Sequence, residues 1–396
     1  MPPSRKFKIA MIPTQNGGVN YYRMAAWAFE MRKYRNVEVA LFAFQYGMNE
    51  PHPWQADLLT NQVVRQHIYS LCEMADVVIW HPVHYQHSLD LFMEMRAAHD
   101  KPFLVETDDN YIDVPHWNEG FHSYSPNSIY RKIAVESIRA ADGLIVSTPH
   151  LKEIYGQFNE TIEIVENSLD FKGDRKFVGW DTVSPRKHRG TRLGWIGGRS
   201  HFADLMMVAP VLRELLKKYP DVTLSLVNSA IKQSCQATGK AYPFEGLKNV
   251  QYADRSVAIN RYAAFSASFG FDIGIAPLVD CNFNRSKSNL RWLEYSALKV
   301  PCVASNVGHF ASTLKPGVDG YLVNGDEGWF LALETLINDE GLRRRVGDTA
   351  NKRVKRDFNV ARNAAKYVRT LKTLANFSPS TEEAWTSQPL EPLSVN

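Results

Sequence analysis

The same alternation of short apolar runs and helical stretches occurs twice in this chain, with one break between the two series. Residues 8–13 form an apolar run that ends in a turn containing Gly17 and Gly18. A helix is predicted over about 21–32, and further strand-like runs follow at 37–44, 76–80, 102–106, 142–147 and 162–165, with a helical stretch over about 89–99. Between 171 and 190 apolar periodicity gives way to Lys, Arg, Gly, Asp, Ser and Pro, the composition of an exposed linker. The alternation then restarts with 192–197, a helix over about 203–219, 222–227, 272–276, a helix over about 289–298, and 301–305. Strands alternating with helices at this spacing imply parallel sheets covered on both faces. The expected fold is α/β, with two Rossmann-like, doubly wound units in series at 1–170 and 191–355, and a ligand held where the strand ends of both face a common cleft.

Composition narrows the function. With 44% hydrophobic and 22% charged residues, a chain of 396 residues can bury two cores. The net charge of +4 suits an anionic ligand but is too small an excess to indicate nucleic-acid binding. Cys72, Cys235, Cys281 and Cys302 lie far apart without C-x-x-C spacing, which excludes the common zinc and redox motifs and points to a reducing compartment. No apolar run reaches the ~18–20 residues of a membrane span. The N-terminus does not read as a signal peptide, so a soluble, cytoplasmic protein is expected. Residues 341–374 are helical and basic, with about 356–376 expected to cross back to the first unit. The Ser-, Pro- and Glu-rich segment 377–396 is expected to fray.

The stretch 283–295 carries the clearest chemistry. A helix start at Ser288 and Asn289, with Arg285, Lys287 and Arg291 beside it, offers free backbone N–H groups and positive charge to a diphosphate. Glu294, one to two turns further on, can accept hydrogen bonds from ribose hydroxyls. A capped amphipathic helix with solvated charges is the alternative. Glu106-Thr107-Asp108-Asp109-Asn110 ends a strand and therefore reaches the cleft edge. Asp108 and Asp109 could accept an acceptor's proton or hold sugar hydroxyls, bind a divalent metal, or cap a helix. His81, His84 and His87 lack the thiol or acid that would complete a metal site, and fit an acceptor-facing loop or an ordinary surface.

The segment 293–305, with an acidic residue, an alanine-containing turn and a proline-led strand, resembles the donor-binding region of retaining GT-B glycosyltransferases of the family 4-like group. So do the preceding 271–278 and the following 317–323. The resemblance implies two facing Rossmann-like domains, a nucleoside diphosphate sugar as donor, and no required metal or cofactor. It also implies donor contacts from Gly17, Gly18, Gly198, Arg199, Lys287, Ser288, Arg291 and Glu294, and catalytic roles for Asp108 and Asp109, with Asp109 nearest the position of a histidine found in many relatives. His81 and His84 would face the acceptor. Two departures stand out: Ser286 occupies the place of a first glutamate, and Lys299 replaces a glycine, so a left-handed turn there would be strained.

The expected reaction is hexosyl or pentosyl transfer with retention by same-face attack. An inverting reaction with Asp108 or Asp109 as base is the runner-up, and a non-catalytic nucleotide-sugar-binding module is the rival class. Polysaccharide, a lipid-linked glycan and a modified base in phage DNA all fit as acceptor. The basic C-terminal helix would allow contact with DNA phosphates or a membrane surface.

Overall fold

The computed structural model describes residues 5–13, 17–42, 62–174, 176–255 and 257–377. The end of the expected second strand (43–44), the start of the glycine turn (14–16) and the tail from 378 lie outside these residues.

Two six-stranded parallel sheets form the frame. The first contains β1 (Phe7–Ile12), β2 (Val37–Leu41), β3 (Val77–Trp80), β4 (Phe103–Thr107), β5 (Gly143–Val146) and β6 (Ile162–Ile164), in the order β2-β1-β3-β4-β5-β6. The second contains β7 (Thr191–Ile196), β8 (Val222–Val227), β9 (Val250–Ala253), β10 (Ile273–Ala276), β11 (Cys302–Ser305) and β12 (Tyr321–Val323), in the order β12-β11-β10-β7-β8-β9. Every residue of β3, β4, β5, β10 and β11 is buried. Helices on both faces demand such buried, largely apolar runs, with Glu106 in β4 as the charged exception. Each sheet reverses its winding once, between β1 and β3 and between β7 and β10, and crevices open at the C-terminal ends of strands at such points. The edge strand β9, Val-Gln-Tyr-Ala, is only partly buried and carries no periodicity that the sequence reading detected.

Three differences from expectation have physical causes. First, the break after 171 is not exposed throughout. Phe171, Phe177 and Trp180 are buried, Phe177 stacks on Tyr21 at 4.8 Å between ring centroids, and Val178 N donates to Asn260 O at 2.8 Å. The polar residues between these aromatics hid the packing, and the largely solvent-exposed stretch is 181–190. Second, the first helix begins at Gly18, earlier than expected, and widens into a π-helical stretch at Tyr21–Ala25 before continuing as Ala26–Met31. Third, the basic C-terminal stretch is two helices, Glu340–Asp357 and Val360–Leu374, with Asn359 capping the second by accepting from Ala361 N at 2.9 Å. That last helix returns to the first sheet, where Tyr367 meets Trp27 edge-on at 5.2 Å.

Lys299 does adopt the left-handed conformation, at φ 61°. Gly347 lies against it so closely that a Cβ there would come 2.0 Å from Lys299 O. The turn is thus accommodated by a glycine some fifty residues away in sequence.

Candidate active site

The two crevices face each other and enclose a cavity of about 270 Å3. Asp108, Asp109, Lys287, Ser288, Arg291 and His201 supply its polar lining, while Val19, Trp195, Ile196, Leu278 and Phe310 supply much of the apolar part.

Beneath the floor lies a buried ion pair. Arg23, only 1% exposed, donates from Nε to Glu106 Oε1 at 2.5 Å, and its NH1 reaches Val165 O and Asn167 Oδ1, both at 2.8 Å. A charge pair this dry holds only when its remaining hydrogen-bonding capacity is filled, and these contacts fill much of Arg23's. Arg23 therefore ties the first helix to the ends of β4 and β6.

β4 ends at Thr107 and projects Asp108 and Asp109, both half-buried, to the cavity. The next helix begins only at Phe121, so neither aspartate caps a helix. Lys287 Nζ lies 2.7 Å from Asp109 Oδ1 and 4.4 Å from the centre of the Phe283 ring. Burial pushes the two carboxyls the same way, and their neighbours then separate them. For Asp109 burial is outweighed by the charge and hydrogen bond of Lys287, helped by His201 and His84, and the pKa falls below its ordinary value. For Asp108, burial and then the charge of Asp109 outweigh Arg23 and Lys287, and the pKa is pushed up to about 7. One member is thus held charged, and the other can exchange a proton near neutrality.

The opposite wall is the segment from the short helix Asn282–Arg285 to the helix Leu290–Ala297. The first unit grips it at three successive residues. Ser286 Oγ accepts from Asn110 Nδ2 at 3.1 Å and Ser286 O from Thr148 Oγ1 at 3.1 Å. Lys287 pairs with Asp109, and Ser288 Oγ accepts from Asn167 Nδ2 at 2.8 Å. Ser286, where the resemblance led one to look for a sugar-binding acid, is a fastening point instead.

Glu294, expected at the donor's ribose, already has partners for its carboxylate. This residue is 4% exposed and lies off the cavity wall. Its Oε1 accepts from Tyr22 OH across the cleft at 2.9 Å, and its Oε2 from Tyr262 OH at 3.4 Å and from Arg291. A ribose would have to displace one of these donors. Arg291 does line the cavity, and its NH1 also donates to Tyr262 OH at 3.0 Å. Glu294 and Tyr262 therefore set the position of a guanidinium that faces the ligand.

His81 and His84, expected to face the acceptor, both contact side chains of the first unit. His81 is 2% exposed, with Nε2 3.2 Å from Glu106 Oε2, and sits under the acidic cluster rather than on an acceptor-facing surface. His84 packs edge-on against Tyr111 and Tyr124 at 5.1 and 5.6 Å. Burial and then His81 lower its pKa to about 4, so the ring is neutral. The strand-end position was legible, but not the turn of the chain that buries His81 and half-buries His84.

Gly17 adopts φ 94°, which requires glycine, and a Cβ at Gly17 or Gly18 would meet nothing within 4 Å. This turn delivers Val19 to the cavity. Gly198 and Arg199 are exposed after β7, and Arg199 makes no ion pair among the described residues.

His201 is the residue that the sequence reading missed. It lines the cavity, and Nδ1 lies 2.8 Å from Asp204 Oδ2. Asp204 is 2% exposed, and its Oδ1 accepts from Val279 N and Asn284 Nδ2, both at 2.8 Å. A carboxylate accepts only, so Nδ1 carries the proton and the ring presents Nε2 as its second nitrogen. An i, i+3 His–Asp pair at a helix start was the available signal. Among the described residues, no three His, Cys, Asp or Glu side chains are grouped to hold a metal ion, and no helix is long and apolar enough to cross a membrane.

Residues 211–369 match the family described as glycosyl transferase-like. No curated protein sequence matches the chain. Among solved structures, a glycosyltransferase from Rickettsia africae superposes with a TM-score of 0.60 at 13% identity, covering 94% of this chain and 100% of the other. Sucrose-phosphate synthase from Thermosynechococcus elongatus gives 0.62 at 16%, covering 94% and 100%. Anabaena HepE, solved with UDP-glucose, gives 0.61 at 15%, covering 92% and 100%. Identities this low establish the shared fold alone. The family match is thus confined to residues 211–369, and what the two sheets share with these structures is the GT-B fold.

Proposed function

We propose that this chain transfers a sugar from a nucleoside diphosphate sugar to an acceptor hydroxyl in the cavity between its two sheets. The observation that carries the reading is the convergence of Asp108, Asp109, Lys287 and Arg291 on one cavity at two facing crevices. The diphosphate lies against Lys287, Arg291 and the first turn of the helix Leu290–Ala297, with the exposed Arg199 as a further cation and Gly17 and Gly18 leaving room for the sugar. Glu294 acts through Arg291. As the diphosphate arrives it competes with Asp109 for Lys287, so donor binding releases a carboxylate beside the sugar. The bond from the anomeric carbon to the diphosphate oxygen breaks, and the acceptor oxygen bonds to that carbon. In the same-face reaction the acceptor's proton passes to the departing diphosphate, while the cations stabilise the charge that develops there. Asp108 and Asp109 then orient sugar and acceptor hydroxyls.

The pKa of about 7 at Asp108 favours a second reading, in which Asp108 takes the acceptor's proton and the configuration inverts. Polysaccharide, lipid-linked glycan and modified DNA base remain the candidate acceptors, with the cytoplasm as the compartment. Incubation with a panel of nucleotide sugars, with mass spectrometry of the products, tests the activity, and the proton coupling at the new anomeric centre distinguishes retention from inversion. Tight nucleotide binding with neither transfer nor hydrolysis across the panel would leave a binding module in place of an enzyme.

A further inference from the structure

A second cavity, of about 600 Å3, lies in the second unit away from the cleft. The cleft sits at the C-terminal ends of β7 and β10, marked by Ile196 and Ala276. The second cavity instead takes in Arg192 at the start of β7 and Ser268 and Phe269 before β10, and runs across to the edge strand β9. Its floor follows from the sheet. Gly194, Ser225 and Gln251 are paired neighbours on β7, β8 and β9, so their side chains share one face. Near β7 that face is covered by Phe271, whose ring a Cβ at Gly194 would meet at 2.1 Å. Towards the edge, Ser225 and Gln251 line the cavity instead.

Five basic side chains gather over this polar floor: Arg186, Lys187 and His188 from the connecting segment, Arg192 from β7 and Arg255 after β9. No Asp or Glu lines the cavity, and Arg186, Lys187 and Arg255 make no ion pair among the described residues. The arrangement is fastened by the backbone. Arg186 N donates to Ala267 O at 3.0 Å, His188 Nε2 contacts Gly270 O, and Arg192 NH1 donates to Phe269 O at 2.6 Å. Arg192 Nε is buried without a partner. Asp272, a carboxylate close by, is already used: it accepts from Arg192 N at 2.8 Å and lies 3.4 Å from His188 Nε2.

Like charges brought together without acids repel, and a buried donor without a partner is unfavourable; an anion relieves both. We infer that this cavity binds a small phosphorylated ligand, of sugar-phosphate or nucleotide size, at a site separate from the donor cleft. The volume falls in the ~300–1,000 Å3 range of small-molecule sites. The cations close a concavity rather than forming the stripe that a nucleic-acid backbone would follow. A phosphate there bridges the connecting segment to the sheet, and so stiffens the joint between the two units.

Equilibrium dialysis of the full chain against radiolabelled inorganic pyrophosphate tests this. The double variant Lys187→Ala/Arg255→Ala removes two exposed side chains that play no part in the fold's core, and Lys287→Ala reports on the donor cleft. Two pyrophosphates per wild-type chain are expected, one of them lost or weakened at least tenfold in the double variant and retained in Lys287→Ala. If the cleft reading fails, a single pyrophosphate remains, and the double variant abolishes it. Unchanged pyrophosphate binding in the double variant overturns the inference. So does binding of a 20-base-pair DNA duplex that the double variant loses and that pyrophosphate does not displace, because the patch would then serve nucleic acid.

Discussion

Replacing Asp109 with Asn removes one charge from the acid pair with almost no change in shape. Its consequence is set by what faces Asp108: burial first, then the Asp109 carboxylate, opposed by Arg23 and Lys287, for a pKa of about 7. Two carboxylates on adjacent residues about 6 Å apart repel by roughly 1.4 kcal/mol at an effective dielectric of about 40, between surface protein and open water. That is about one pH unit. With Asp109 neutral, protonating Asp108 no longer relieves that repulsion, so the pKa falls. Lys287, released from its 2.7 Å contact, acts in the same direction. The profile of kcat/KM between pH 5 and 9, with product quantified by mass spectrometry, should show a limb near pH 7 in the wild type. In Asp109→Asn the limb should lie about one unit lower, and in Asp108→Asn it should be missing. An acid-side limb means that Asp108 works ionised, and a basic-side limb that it works protonated. A limb at the same pH in all three proteins would refute the reasoning, because the ionisation would then belong to another group.

Asp108 holds a proton more tightly folded than unfolded, so stability falls as pH rises from about 4 to about 7. Asp108→Asn should therefore be more stable than wild type at pH 8, by an increment of about 0.5–2 kcal/mol in denaturant titration, and near equal at pH 3.5. Glu294→Gln leaves Arg291 without its carboxylate partner, and calorimetric affinity for the nucleoside diphosphate should fall by about 1.5–3 kcal/mol, with unchanged affinity counting against positioning through Arg291. Limited proteolysis should cut first within 184–190 among the described residues, since the aromatics at 171, 177 and 180 hold the preceding stretch; a first cut at 171–180, read by mass spectrometry, would contradict that packing.

The parallel sheets were legible because unbroken apolar runs as short as β3 and β5 have few other uses. The segment 283–295 was legible because a helix start and three cations coincide within it. Partners distant in sequence were not legible. Nothing local in Arg23 or Glu106 shows that they meet across 83 positions, or that Tyr22 finds Glu294 across 272. Glu294 reads as a free carboxylate until those donors are in place. His201 stayed hidden for a related reason: an i, i+3 His–Asp pair is common on solvated helices, and only burial of Asp204 behind Val279 and Asn284 turns it toward the cavity.

The grip of the first unit on residues 286–288 has a consequence for how the donor enters. Three neutral hydrogen bonds, from Asn110, Thr148 and Asn167, join the units at this point, together with the Lys287–Asp109 pair. Each neutral bond is worth about 0.5–1.5 kcal/mol net, so together they favour the closed arrangement by about 1.5–4.5 kcal/mol before a ligand arrives. Of the three, only the bond to Ser288 Oγ uses a side chain that also lines the cavity. In the proposed donor complex Lys287 has to give up Asp109, while Arg291 keeps Glu294. The loop that carries the cations can therefore stay fastened to the unit that carries the acids while the donor charge is exchanged, and the distance between cation and acid is set by Ser286 and Ser288, not by the ligand. Binding then needs only local adjustment of one ammonium, which keeps the reacting groups in register through a change of charge.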